Sequence, residues 1–393
     1  MGLRQIADAV GVGAYNPALD AVFAALPDAD TPACDLELID SLQTQWDLFG
    51  EYYALVKSVA AQINDDRNRR IWVNTAVAYA MEQDVDGARK VAVPKADGTA
   101  ITAMLPLYIL IPMVPVAVEE YRRRGFSEQE IKKLMYGFQD GIRLVKLHTG
   151  MPGVDAVYYH WLMLFAKAMI FQNEGLQFEL RQLPGDMVYI KNKHTGQVVG
   201  LRNGGMVHRS GLAILGSACY EDAEGAFEAA FREDTQSIYG HPCVGAIIER
   251  EEKVFPKTQW EVVVRPGDDC LSIHIPRGVD ISVETMEQHF VYGRKVAAER
   301  YPEYKPVAFY GYSWILNPKL VQIVGPNSKI AGLLDLFIKS PQKSDGNSVF
   351  SFVFDRKPDR YEDLPEDSRL RRGLKNLYLN GDCIHPYAGI VLR

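Results

Sequence analysis

The chain has 393 residues, 47% of them hydrophobic, and 43 Lys and Arg stand against 50 Asp and Glu for a formal net charge of −7. That is enough chain for two domains around a large core, with the composition of an ordinary folded protein rather than a disordered one. A surface of that sign offers no electrostatic footprint for nucleic acid or anionic lipid, so neither a nucleic-acid partner nor a membrane is expected.

The opening MGLRQIADAVGV has no basic region followed by an apolar core, so no secretory signal is expected. Cys34, Cys219, Cys243, Cys270 and Cys383 show no C-x-x-C spacing. An odd, unpatterned set points to a reducing, cytoplasmic setting and away from a disulfide frame or a zinc site. Residues 34–63 read as one helix capped by Asp35, with Leu36, Leu38, Ile39, Leu42, Trp46 and Phe49 at helical spacing. Residues 66–81 continue as helix, and a polar loop follows over roughly 84–99. The longest apolar run, Met104 to Val118, is about fifteen residues, short of the roughly 20 that a bilayer span needs. Pro106, Pro112 and Pro115 interrupt it, which predicts a buried, kinked helix. Ser127-x-x-Glu130 is a capping box that starts a helix through Leu147. Residues 155–172, apolar nearly all round, read as a helix lying between layers.

From Leu176 the hydrophobic period changes to two. LQFELRQL, MVYIKN, QVVGLR, WEVVVR, LSIHI, VAFYGYSWIL, GLLDLFIK and SVFSFVF read as strands, and Lys193 to Gly196 reads as a hairpin turn. Helices are expected over 283–300, 318–324 and 368–379. The result is an α+β chain: an all-helical N-terminal domain, residues 1–173, followed by a mixed α/β domain, residues 174–393.

Residues 271–281, LSIHIPRGVDI, bring a strand end, a turn at Gly278 and a helix start to one point. Backbone N–H groups and the positive end of a helix dipole suit such a point to a pyrophosphate. No Walker or Rossmann glycine fingerprint is present, so coenzyme A fits better than a nucleoside triphosphate or a dinucleotide.

HWLMLFAKAMIFQNEGLQFELR, YIKNKHTGQVV, FREDTQSIYGHP, WEVVVRPGDDCLSIHIPRG, YPEYKPVAFYGYSWILNPKL and SVFSFVF follow one another in the order of a known family. From about Tyr158 onward the chain resembles two-domain bacterial acyltransferases that have a helical N-terminal domain and a GNAT-like (N-acetyltransferase superfamily) C-terminal domain. The resemblance implies a pantetheine arm lying along residues 271–275, Ile273 and Ile275 among them, in a splay between that strand and the next parallel one. It also implies a pyrophosphate on the following turn, Pro276, Arg277, Gly278, Val279 and Asp280, with Arg277 as a charge-assisted contact. Acetyl-CoA or another acyl-CoA is then the co-substrate and a small-molecule or peptide amine the acceptor, with no metal required.

Acyl transfer to an amine requires removal of an ammonium proton, donors for a developing oxyanion and a hydrogen bond for the departing thiolate. It needs no covalent intermediate on the enzyme. Tyr312 is the candidate for the thiolate. It stands in Gly311-Tyr312-Ser313-Trp314, where the family usually carries a Cys-His-Ser-Trp kind of pattern. His274 is a candidate base on the strand face opposite Ile273 and Ile275, with hydrogen-bonded core histidine as its other reading. Ser313 is a further catalytic candidate. Asn317 either touches the pantetheine amide or caps the helix at Pro318. His208, His241, Glu252 and Glu261 are further candidates for the acceptor pocket or the base. The aromatic group Tyr158, Tyr159, His160 and Trp161 is a candidate cleft lining or a packing cluster. The expected function is an acyl-CoA-dependent N-acyltransferase, with acetyl the expected group and direct attack in a ternary complex. The alternative is a GNAT-like module that binds acyl-CoA or another small ligand without turnover, which the tyrosine at position 312 keeps open.

Overall fold

The computed structural model describes residues 2–26 and 30–392. The chain divides into two compact units between Phe171 and Gln172, close to the change of hydrophobic period.

The first unit is helical. Asp35 and Asp66 cap their helices, each carboxylate accepting two backbone N–H groups. Residues 34–63, however, form two helices, Leu36–Trp46 and Tyr53–Asp65, rather than one. Asp47 takes a left-handed conformation (φ 53°) and closes the first, while Gln43 accepts the Phe49 N–H and so fixes the break locally. The proline-bearing segment is continuous over the 24 residues Ala100–Arg123 and is long and apolar enough to cross a membrane, with 72% of its apolar window buried inside the fold. It is longer than the apolar run alone suggests. Pro112 and Pro115 fall at the starts of a 3₁₀ turn, Ile111–Met113, and of the helix Val114–Arg123, where a missing N–H costs little. The capping box holds, with Ser127 Oγ accepting from Glu130 N and Glu130 Oε2 from Ser127 N. The last helix is only Ala156–Ala166, because Ala168 turns left-handed (φ 53°) and the chain then extends as the strand Ile170–Gln172. Tyr159 and His160 are used in packing: the Tyr159 hydroxyl donates to the Ala88 carbonyl and His160 Nε2 meets that of Arg89.

The second unit is built on two sheets. One has the order Ile170–Gln172, Gln177–Gln182, Asp269–His274, Ala308–Ser313, Tyr387–Val391, Ile338–Pro341. Its central pair, 269–274 and 308–313, is parallel, and both are flanked by antiparallel partners. The other sheet has the path Lys253–Pro256, Ser237–Val244, Val198–Arg202, Met187–Asn192, Trp260–Val264. The hairpin at Lys193 to Gly196 joins 187–192 to 198–202 as expected. Alternation sets the two faces of the first sheet. Cys270, Ala308, Tyr310, Ala388 and Ile390 enter one core with Met187, Tyr189, Cys243 and Val264 of the second sheet. On the opposite face Phe309 packs against Phe290 of the helix Val283–Arg300, ring centroids 4.6 Å apart, and against Phe178 at 6.2 Å.

Two expected strands are helices. GLLDLFIK contributes its first half to the helix Lys329–Leu336, capped by Ser328, and only Ile338–Pro341 is extended. SVFSFVF forms the helix Ser348–Val353. A short apolar run fits both periods, and here Phe350 is claimed by a cluster with Phe354, Tyr361 and Tyr378 that only a helix can reach. The strand in VAFYGYSWIL ends at Ser313, and Trp314–Leu316 is a 3₁₀ turn.

Helix 283–300 lies close on the sheet because of Gly293, where an added Cβ would come 2.7 Å from the Phe178 ring. Gly293→Val is therefore expected to overpack this contact and destabilise the fold by about 1–3 kcal/mol. Urea unfolding checks this, and an unchanged midpoint would show that the helix has room to move.

Candidate active site

The two central parallel strands are in register over only three pairs, Cys270 with Ala308, Leu271 with Phe309 and Ser272 with Tyr310. Each strand then stays bound on its outer side. Ile273 and His274 remain paired with Phe178 and Gln177, while Gly311, Tyr312 and Ser313 remain paired with Gly389, Ala388 and Tyr387. The strands therefore part at the mouth of the sheet, leaving backbone edges of 273–275 and 311–313 without each other. Gly311 suits the place, since a Cβ there would come 3.0 Å from Phe337 and 3.3 Å from Leu316.

His274 stands where pairing stops, on the face that carries Ser272, Tyr310 and Tyr312. Its Nε2 lies 3.0 Å from Glu179 Oε2, and Arg181 Nη1 lies 3.7 Å from the same oxygen. Glu179 is 3% exposed, and its strand partner is Ser272. An ionised Glu179 requires the Nε2 of His274 to carry a proton, which puts the ring's basic lone pair on Nδ1. Glu179 is a candidate that the sequence reading missed. Its signal is the acid in L-Q-F-E-L-R, on the opposite face from Phe178 and Leu180, in a strand that reads as core. The Tyr310 ring is buried on this face, and the Arg181 guanidinium lies 5.9 Å from its centroid. Tyr312 is 52% exposed by residue. Partial burial raises its phenol above the ordinary value, with Asp345 adding to the effect, so it keeps its proton at neutral pH.

The other expected site residues serve the frame. The Ser313 hydroxyl accepts the Ile315 N–H and caps the turn at Trp314. Asn317 is 1% exposed; its amide donates to the His385 carbonyl and accepts the Lys319 N–H, so it caps and braces the chain. His208 bonds Ser210, His241 meets the Glu249 carbonyl, and Glu252 pairs with Arg232.

The turn after the strand is exposed, with Gly278 at φ 87°. The acid of that expected pyrophosphate cradle, Asp280, is itself engaged at the helix start. Asp280 accepts from Ser282 N at 2.9 Å and from Lys329 Nζ at 2.9 Å. Arg277 donates to Asp355 and to the Phe352 carbonyl, both at 2.8 Å. Both local cations are thus paired with carboxylates of the same chain. Hydrogen bonding from Lys329, then from Ser282, holds Asp280 down to about 2.

The family described as "GNAT-like C-terminal domain" matches residues 170–391, more than half of the chain. No curated protein matches the sequence. Solved structures do. The crystal structure of an acyltransferase mutant in complex with octanoyl-CoA is 14% identical, with a TM-score of 0.66 over 100% of this chain and 99% of that one. An acyltransferase in complex with CoA and 10C-teicoplanin is 14% identical (TM-score 0.65, 100% of both chains), and one with decanoyl-CoA and teicoplanin is 15% identical (TM-score 0.63, 100% of both chains). At that identity the likeness is one of fold, and it extends over both units.

Lys329→Met is expected to raise the Asp280 titration from about 2 toward the ordinary aspartate value of about 3.9, read by carboxyl-carbon NMR. A depressed carboxylate adds stability that is present above the unfolded value and lost as pH falls through the folded one. The native chain should therefore lose this contribution between about pH 4 and pH 2 and the variant should not. Unchanged titration in the variant would show that Lys329 is not the cause.

Proposed function

The chain belongs to the GNAT-like C-terminal domain family, and from that premise we propose that it is an acyl-CoA-dependent acyltransferase that moves an acyl group to an amine by direct attack in a ternary complex. The observation that supports this reading most is the parting of strands 269–274 and 308–313 after Ser272 and Tyr310. Exposed backbone edges there can pair with the amides of a pantetheine arm as a further strand would. Bound acyl-CoA supplies the activated thioester, and the chain's own groups do the rest.

His274, oriented through Nε2 by the buried carboxylate of Glu179, takes the ammonium proton on Nδ1. The pair resembles a base held by an orienting acid, and it supplies what the tyrosine at position 312 withholds. Tyr312 hydrogen-bonds the departing sulfur. Its phenol, held above an ordinary value of about 10, would give its proton uphill to a thiolate of about 8.5, so it serves as a hydrogen-bond donor rather than a full acid. Backbone N–H groups at the parted edges are the donors for the developing oxyanion.

The diphosphate fits the turn less simply. Arg277 and Lys329 are the cations at hand, and each would exchange a carboxylate, Asp355 or Asp280, for a phosphate. Those exposed pairs are cheap to open. The acceptor is a small-molecule or peptide amine. The related structures with octanoyl- or decanoyl-CoA and with teicoplanin support testing medium chains and an amine-bearing glycopeptide beside acetyl-CoA and small amines. A cytoplasmic setting accords with the odd, unpatterned cysteines.

The test follows free-thiol release and thermal shift with acetyl-, octanoyl- and decanoyl-CoA against a panel of amines that includes teicoplanin. CoA should stabilise the fold, and at least one donor–acceptor pair should release thiol. Stabilisation with no release under any acceptor would instead favour a binding module. In the active pair, His274→Asn is expected to lower kcat by about 10²–10⁴-fold, and Tyr312→Phe by about 10²-fold. CoA stabilisation should be kept in both, and an unaffected rate removes that residue from the mechanism. Arg277→Met should weaken CoA binding about tenfold through loss of a charged hydrogen bond.

A further inference from the structure

The three side chains Cys219, Asp382 and Cys383 come together although 163 positions of sequence separate the two cysteines. We propose that Cys219, Asp382 and Cys383 form a binding site for one thiophilic divalent metal ion, Zn²⁺ being the best match. Their two Sγ atoms and a carboxylate oxygen all lie within 4.8 Å of one another. A tetrahedral Zn²⁺ has bonds of about 2.3 Å to sulfur and about 2.0–2.2 Å to oxygen, so its ligands stand roughly 3.5–3.8 Å apart. The three groups therefore need to close by no more than about 1.3 Å.

The second observation is His385. It is 2% exposed, its Nε2 lies 3.3 Å from Cys383 Sγ, and its Nδ1 is a buried atom without a hydrogen-bond partner among the described residues. A neutral imidazole beside a thiolate ligand donates its N–H to the sulfur or turns to offer the lone pair as a fourth ligand, and either use suits a metal site.

Charge also balances. Two thiolates and one carboxylate bring −3, and a divalent ion with the Lys319 ammonium brings +3. Lys319 Nζ is bonded to Asp382 Oδ1 and to the Tyr220 hydroxyl, which places its charge beside the cluster. The ion binds both cysteines as thiolates. On binding, the two thiol protons pass to solvent. Cys219 is exposed, which gives the ion a way in, and its φ of 65° presents the side chain from a left-handed turn. The bound ion would tie the loop that carries Cys219 to the segment that leads into the Tyr387–Val391 strand.

The full chain, stripped with a chelator and kept reduced by a phosphine, is titrated anaerobically with Co²⁺ and then with Zn²⁺. One equivalent of Co²⁺ should produce thiolate-to-metal charge-transfer absorption with tetrahedral d–d bands. One equivalent of Zn²⁺ should abolish both and raise Tm. Cys219→Ser, at an exposed position that does not threaten folding, should lose the charge-transfer band at stoichiometric metal, as should Cys383→Ser. His385→Gln should weaken binding about 10–100-fold. Absence of the band in the native chain, or a band that survives Cys219→Ser unchanged, overturns the proposal. So does a chain whose two cysteines are joined as a disulfide that the phosphine leaves intact.

Discussion

Backbone pairing that stops after three residues is the constraint on which the rest of the second unit depends. Strand 269–274 is paired along its whole length with 177–182, and strand 308–313 runs with 387–391 to its last residue. Each central strand therefore follows its outer partner, and the two separate where the partners diverge. The face below is sealed by Phe309, Phe290 and Phe178; Gly293 leaves room for the Phe178 ring and Gly311 for that of Phe337. The opening is thus a consequence of well-satisfied pairing elsewhere, with packed aromatic rings holding the edges apart.

Polar chemistry gathers on the other face because alternation leaves it nowhere else to go. Glu179, Arg181, Ser272, His274, Tyr310 and Tyr312 share that face, next to the core formed with the second sheet. A buried carboxylate is costly unless it is paired, and Glu179 is paired with His274 and approached by Arg181. The same economy governs the turn beyond the strand. Arg277 and Lys329 are held by Asp355 and Asp280, so the cations that a diphosphate would need are already placed and lightly restrained.

The fold was legible where one period was unambiguous. Asp35, Asp66 and the Ser127 to Glu130 box mark helix starts, and MVYIKN and the helix over 283–300 fall on the observed bounds. It was illegible in short apolar runs. SVFSFVF and GLLDLFIK satisfy both periods, and their state was settled by the aromatic cluster around Phe350 and by the Ser328 cap. At the candidate site, His274 and Tyr312 could be named from their strands. Asn317 could be read as a cap and its bond from Lys319 makes it one, while the cap at Ser313 shows only in its bond from Ile315. Glu179 was hidden because an acid in a strand has no readable partner until the neighbouring strand is known.

The sequence by itself determined a helical first half, a sheet-forming second half and the strand, turn and helix over 271–300, because these are written in local spacing, capping residues and turns. Tertiary structure alone decided which strands are neighbours, where the parallel pair separates, that Glu179 meets His274, and that Cys219 meets Cys383. Those are contacts between residues far apart along the chain, and periodicity carries no information about which distant element will fill the other side.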